Sequence, residues 1–323
     1  MRGPERGSLK IGVLINPASS RNRSRLSDLD ALLAQNRDLV VRRIQEPSEV
    51  AASIADMRAR GTDVIAIAGG DGTIQLAFAA LFNTQTSGNL PALAVLPGGT
   101  TNMIANDIGA TQRPARELER LLRVNAEGRL RRTIVRRRLM ALQSGPDAPP
   151  VYGLFFGAAA IVQGTIISRR SVDRIGFRDS AGPFTGILSL FGPMLLGRNP
   201  IKPVRAKVTL DGEVLPEASY LAILGTTMER LSMGLRPFWD HVGKPLKVTL
   251  VREHPRYLMR VIWSGIHGRG HPELTPENGY ISRNVDRIEV ELTEPVVMDG
   301  EFFAAEPGNK LVLTAGPIVE FVR

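Results

Sequence analysis

Ile65–Leu81 reads IAIAGGDGTIQLAFAAL, and its three parts decide the architecture around it. Thr62–Ala68 is a short apolar run of the kind that forms a strand buried on both faces, and Ile74–Phe82 has the length and composition of a helix. Between them, Gly69-Gly70-Asp71-Gly72-Thr73 turns sharply from one to the other. Small residues at such a junction let backbone N–H groups approach an anion, and the helix N-terminus adds a favourable field. Asp71 is an unexpected guest there. A carboxylate beside phosphates repels them unless a divalent cation, or a hydroxyl proton to be removed, is also present.

Outward from this stretch the alternation of strand and helix repeats. Leu9–Asn16 (LKIGVLIN) predicts a buried strand closed by Pro17, and Leu26, Leu29 and Leu33 predict a helix over Ser24–Asn36. Asp38–Ile44 follows as a strand. Val50, Ile54 and Met57 then mark a helix that ends at Gly61, and Pro91–Leu96 (PALAVL) is a further buried strand. The pattern predicts a doubly wound parallel sheet with helices on both faces. A second glycine turn, Pro97-Gly98-Gly99-Thr100-Thr101-Asn102, closes the last of these strands. Loops at the carboxyl ends of neighbouring parallel strands line one crevice, so this turn, the loop at 69–73 and Asn16 are expected to converge on one nucleotide site. Gly72 through Asn106 contains no charged side chain or histidine, so phosphate contacts from that stretch would come from backbone and hydroxyl groups.

The pattern changes near Leu130, after a helix predicted over Pro114–Val124. Ala206–Leu210, Leu246–Val251, Tyr257–Trp263, Arg287–Leu292 and Lys310–Leu313 read as short strands separated by Gly, Pro and Asp-Gly turns, which predicts a β-rich, antiparallel, sandwich-like second domain. The boundary is expected near 134/135, with the first domain from residue 8 and a cleft between the two halves.

Composition narrows the chemistry. The 323 residues include no cysteine, which excludes disulfide scaffolds, thiolate metal sites and cysteine nucleophiles. The formal charge is +9, and 35 of the 41 basic residues are arginine, a surface that attracts phosphates on nucleotides or lipid headgroups. No lysine occurs between Lys10 and Lys202, which excludes a GxxxxGK[ST] loop in this half, and GGDGT lacks the GxGxxG spacing of a dinucleotide fold. Met1–Lys10 has no apolar run for a signal peptide, so the chain is expected in the cytoplasm.

Three further stretches bear on partners. Ser180–Gly197 is uncharged but broken by prolines and glycines, and reads as an interfacial or pocket-lining element. Arg21, Arg23 and Arg25 are placed in the loop after the first strand, where they could hold nucleotide phosphates. Arg116–Arg138 carries nine arginines against three glutamates, either a solvated face or a contact for an anionic membrane. With only 5% aromatic residues and no basic-aromatic interleaving, a nucleic-acid partner is not expected. His267 and His271 are separated by glycine and read as surface loop residues rather than metal ligands.

IGVLINPASS at 11–20, IAIAGGDGTIQLAFAAL at 65–81 and PALAVLPGGTTN at 91–102 resemble the diacylglycerol kinase catalytic domain superfamily, which includes bacterial soluble lipid kinases and sphingosine and ceramide kinases, with NAD kinases as distant relatives. The likeness is dense over Leu9–Gly109. It implies an N-terminal nucleotide domain over 8–134 to which the segment 312–323 returns, and a β-rich lipid-substrate domain over 135–311. It also implies an ATP- and Mg²⁺-dependent kinase, peripheral to an anionic membrane, that phosphorylates the primary hydroxyl of diacylglycerol or a related sphingoid or ceramide-like lipid.

On this resemblance Asn16, Gly69, Gly70, Asp71, Gly72, Thr73, Gly98, Gly99, Thr100, Thr101 and Asn102 are the candidate ATP-binding residues. Met298-Asp299-Gly300-Glu301 is similar to the family's late Asp-Gly-Glu turn, which makes Glu301 the candidate general base, with Asp71 as a second catalytic carboxylate. The same tripeptide at Asp211-Gly212-Glu213 reads as an ordinary hairpin. Gln75 and Met103 stand where members usually carry acidic residues. Val242 replaces the aspartate of the family's metal-binding stretch in Pro237–Gly243, so no metal ligand is assigned. Two alternatives stay open: an NAD- or sugar-phosphorylating kinase, and a non-catalytic lipid- or nucleotide-binding module. A homodimer is compatible with either.

Overall fold

The computed structural model describes residues 8–19, 23–83, 89–99, 102–145, 147–175, 201–231, 234–240, 243–304 and 310–323. By its internal contacts the chain divides into two units, Met1–Arg137 with Ile318–Arg323, and Arg138–Pro317.

In the first unit the expected strands form and run parallel: the buried β1 (Ile11–Ile15), β3 (Val64–Gly69) and β4 (Ala92–Pro97), and the partly exposed β2 (Val40–Arg43). β1 lies between β2 and β3, with Gly12 opposite Val40 and Ile65, and β3 pairs with β4 from Val64–Ala92 to Gly69–Pro97. Phe321 and Val322, at the end of β16 (Leu311–Val322), add a parallel partner to β4.

Side-chain alternation then sends alternate residues of each strand to opposite faces. Val13, Ile15, Ala66, Ala94 and Leu96 share one cluster with Leu29 and Leu33 of α1 (Arg23–Gln35) and with Leu118 and Leu121 of α5 (Pro114–Ala126). On the opposite face α2 (Glu49–Ala59) and α3 (Asp71–Phe82) pack side by side. There Phe78 meets Phe321 edge to face at 6.2 Å. This is the doubly wound parallel sheet that the sequence predicts.

The second unit is antiparallel. β10 (Ala218–Thr226) is its hub, pairing with β7 (Phe155–Ala159), β8 (Val204–Leu210) and β11 (Leu246–Arg252). β11 continues to β12 (Tyr280–Val285), and β8 to β13 (Arg287–Glu291) and the short β9 (Glu213–Val214). β5 (Ile134–Gln143) pairs with β6 (Val151–Gly153). β14 (Val296–Met298) lies between β7 and β15 (Glu301–Phe303). One core, including Phe156, Val208, Tyr220, Leu250, Ile288, Met298 and Leu313, joins these strands. α6 (Ala160–Ile175) follows β7.

Two expectations change. Tyr257–Trp263, predicted as a strand, is instead the start of helix α7 (Leu258–Ile266). Its run YLMRVIW is apolar enough for either state. The spacing of Leu258, Val261 and Gly265 turns one helical face toward Trp239, Leu274 and Tyr280, and that packing decides it. Arg23 and Arg25 belong to the first turn of α1 rather than to a loop, and Arg21 lies outside the described residues, as does Ser180–Gly197. No described helix is long and apolar enough to cross a membrane.

Candidate functional site

β1, β3 and β4 all run parallel, so their carboxyl ends bring three loops together. Asn16 follows β1. Its backbone N–H donates to Ala68 O at 2.9 Å, and its Nδ2 donates to Thr73 Oγ1 at 2.9 Å. Thr73 is buried in the first turn of α3. This helix starts at Asp71, three residues before the expected Ile74, because Gly70 is its extended N-cap and accepts the N–H groups of Thr73 and Ile74. Of the residues GDGT, only Gly70 lies outside the helix.

The second glycine turn packs directly on the first. Gly98 N–H donates to Gly69 O at 3.0 Å. A Cβ on Gly99 would come within 2.7 Å of Gly70 Cα, so the two backbones approach more closely than any side chain there allows. Asn102 clamps this turn from its far end: its Oδ1 accepts Gly99 N–H at 3.0 Å and its Nδ2 donates to Gly99 O at 2.8 Å, with the residue itself at φ 47°. Asn tolerates this left-handed conformation better than most residues. Thr100 and Thr101 lie outside the described residues.

Asp71 is 93% buried, with a relative exposure of 7%. Its Oδ2 accepts the N–H of Met103 and its Oδ1 that of Ile104, both at 3.1 Å. These are first-turn amides of α4 (Met103–Ile108), so a carboxylate of the first loop caps the helix that follows the second. The sequence offers no local signal for this contact, since capping residues normally lie within three positions of the amide and here the separation exceeds thirty. Met103, which stands at an acidic position of the family pattern, is buried and supplies one of the two amides.

Two arginines of the basic run are held inside the first unit: Arg137 pairs with the buried Asp107 at 2.5 Å and Arg120 with the buried Glu117 at 2.9 Å. Arg116, Arg123, Arg131 and Arg132 are exposed. A separate cavity of 610 Å³, lined by Thr62, Leu90, Arg131 and Ile318 among others, opens beside the amino ends of β3 and β4, the opposite end of the sheet from the glycine turns.

Glu301 belongs to the second unit, where it is exposed as the first residue of β15. The turn before it is fixed by Asp299, which the sequence places in the motif without giving it a role. Asp299 has a relative exposure of 3% and accepts two consecutive amides, Leu154 N–H and Phe155 N–H, both at 2.9 Å. A Cβ on Gly153 would lie 2.6 Å from Asp299 Oδ2, so the glycine makes room for the carboxylate. Asp299 at φ 49° and Gly300 at φ 91° form the two left-handed residues of a tight hairpin that pairs Met298 with Glu301.

Among the described residues no group of three His, Asp or Glu side chains converges on a point where a metal could sit. His267 instead bonds to Trp263 O through Nδ1 at 2.9 Å, and His271 Nδ1 accepts Glu273 N–H at 3.2 Å. Val242 lies outside the described residues.

Residues 10–130 match the diacylglycerol kinase catalytic domain family. A curated relative named "Probable lipid kinase YegS-like", from Citrobacter koseri, is 29% identical over 114 residues, covering 35% of this chain and 38% of that protein. The chain therefore matches well under half the length of that relative. Among solved structures, a diacylglycerol kinase from Bacillus anthracis str. Sterne gives a TM-score of 0.60 at 18% identity, over 97% of this chain and 96% of that one. Yeast NADH kinase complexed with NADH gives 0.52 at 10% identity, over 98% of this chain and 84% of the other. At these identities the solved structures share the fold.

Proposed function

From the match of residues 10–130 to the diacylglycerol kinase catalytic domain family, we propose that this chain is an ATP-dependent lipid kinase that phosphorylates the primary hydroxyl of diacylglycerol or a related lipid. The observation that carries the reading is the interlocking of Gly69–Thr73 with Gly98, Gly99 and Asn102, beside Asn16 at the carboxyl ends of β1, β3 and β4. That is where an open parallel sheet binds ligands.

The glycine backbones and the first turn of α3 would face the triphosphate; apart from Asp71, whose carboxylate is turned to the amides of Met103 and Ile104, the stretch through Asn106 carries no charge that would repel it. Asp71 braces the pair of turns by capping α4, a positioning role toward the nucleotide. Among the described residues no group of three carboxylate or histidine side chains converges to hold a metal, so a Mg²⁺ ion would be held mainly by the nucleotide's phosphates and water, and would supply charge neutralisation for the transferred phosphoryl group.

Glu301 is assigned the role of general base. It accepts the proton of the lipid's primary alcohol as the alcohol oxygen bonds to the γ-phosphorus and the bond to the β,γ-bridging oxygen breaks, giving a phospholipid and ADP. The rigid Asp299–Gly300 turn would hold that carboxylate in place.

The test is a transfer assay with γ-labelled ATP against diacylglycerol, sphingosine, ceramide, NAD and a hexose. Label is expected in a lipid and absent from NAD and the sugar. Label confined to NAD or sugar would replace this reading with that of a soluble-substrate kinase, and nucleotide binding with no transfer to any acceptor would replace it with a sensing module.

A further inference from the structure

Helix α7 carries an apolar surface that the fold leaves in water. Tyr257 is 51% exposed, Met259 53% and Trp263 65%, within seven residues of chain. This is not a loosely held helix. Val261 and Gly265 are buried, and a Cβ on Gly265 would make ordinary van der Waals contact with both Leu274 and Trp239, at 3.9 Å. The inward face is satisfied, and Met259 and Trp263, four residues apart, form a second apolar stripe on the outward face. His267 extends it by one turn, its ring centroid 4.3 Å from that of Trp263.

Cationic side chains border the stripe. Arg256, Arg260 and Arg269 are exposed and flank it along the chain, with Arg260 bonded to Glu273 at 2.6 Å and held 5.4 Å from the Tyr257 ring centroid. A tryptophan and a methionine flanked by arginines suit the boundary between acyl chains and anionic headgroups, where the rings and thioether leave water and the guanidinium groups keep phosphate contact. A second copy of the chain suits this surface less well. A patch rimmed by arginines and paired with its own copy would bring like charges from the two rims together.

We infer that α7 is a membrane-docking element that lays Met259 and Trp263 into the headgroup boundary of an anionic bilayer, with Arg256 and Arg269 on phosphates. The choice of a lipid surface as partner rests on the lipid-kinase reading, but docking itself needs no phosphoryl transfer. The full chain, without ATP, should co-sediment with vesicles of equal parts phosphatidylcholine and phosphatidylglycerol. Trp263→Ser should lower the partition coefficient roughly tenfold or more, and Met259→Ser by a smaller factor. Arg256→Gln with Arg269→Gln should weaken binding and flatten its dependence on salt. Val214→Ser, which removes an equally exposed apolar side chain from β9, should leave binding unchanged.

Circular dichroism and the emission of Trp239 verify that each variant is folded. Wild-type partitioning by folded Trp263→Ser overturns the inference. So does a change in oligomeric state with unchanged vesicle binding, which would assign the stripe to a second copy. Loss of transfer activity with vesicle binding intact would instead count against the kinase reading alone.

Discussion

Two Asp-Gly-Glu turns in the second unit share one backbone and differ in what surrounds it. Asp211 and Gly212 have φ 50° and 87°, and Asp299 and Gly300 have 49° and 91°. Each turn closes a two-stranded hairpin, and each aspartate accepts two consecutive amides from a neighbouring segment: Asp286 and Arg287 for Asp211, Leu154 and Phe155 for Asp299. The strand residues before the two turns do not separate them, because Val208–Leu210 is as buried as Val296–Met298. The difference lies in the carboxylates. Asp299 has a relative exposure of 3%, whereas the Asp211 side chain is 28% exposed and is bonded to Lys244 at 2.6 Å. Glu213 is paired with Arg283 at 2.5 Å. One turn is therefore a surface hairpin stapled by ion pairs, and the other is anchored in the core with its glutamate at the exposed end.

The largest expected effect breaks or upholds this contrast at the glutamates. Glu301→Gln should lower phosphoryl transfer roughly a thousandfold while ATP binding stays measurable, as loss of a general base implies. Glu213→Gln should leave transfer within about a factor of two, the effect of removing an exposed ion pair. Equal losses in the two variants would show that the tripeptide, and not its setting, matters; full activity in Glu301→Gln would remove the base.

The aspartates sharpen the comparison through stability. Alanine at either position bears the same left-handed backbone, so the strain it adds cancels between the two variants. What remains is the fate of the amides. Asp299→Ala strands two buried N–H groups and should cost about 2–4 kcal/mol in urea unfolding. Asp211→Ala exposes its amides to solvent and should cost about 1 kcal/mol or less. Comparable losses would mean that burial is not what distinguishes the turns.

These contrasts also mark what was legible in the sequence. β1, β3 and β4 were readable because strands covered on both faces are uninterrupted apolar runs, and Gly61 ended α2 where a positive φ of 71° was needed. The junction at Gly69–Thr73 was readable for the same reason, being flanked by two such signals. The hub strand β10 was not picked out, since ASYLAILGT mixes small and apolar residues without a clear period. α7 was misread because seven mainly apolar residues satisfy both periods, and its tertiary neighbours choose between them. The contacts of Asp71 with Met103 and Ile104, and of Asp299 with Leu154 and Phe155, were invisible because a carboxylate that caps a distant backbone leaves no local pattern. What a sequence does reveal is the residue type and the turn. Its burial is a property of the assembled core.

The smallest effect concerns acid. The Arg283 guanidinium, by hydrogen bond and by charge, holds the Glu213 carboxyl below the ordinary glutamate range. A carboxylate whose pKa is lower in the folded than in the unfolded state binds fewer protons when folded, so its contribution is fully present above the unfolded value and disappears as the pH falls through the folded one. The wild type should therefore be slightly more stable than Glu213→Gln at neutral pH, and the gap should close on acidification below both values. Both side chains are substantially in solvent, so the gap is small and should shrink further in high salt. Arg283→Gln should show the same closing gap, since it removes the other half of one interaction. A gap that persists in acid would mean that Glu213 is held by something other than its charge. The surface hairpin would then resemble the core-anchored one more closely than the exposures of Asp211 and Asp299 imply.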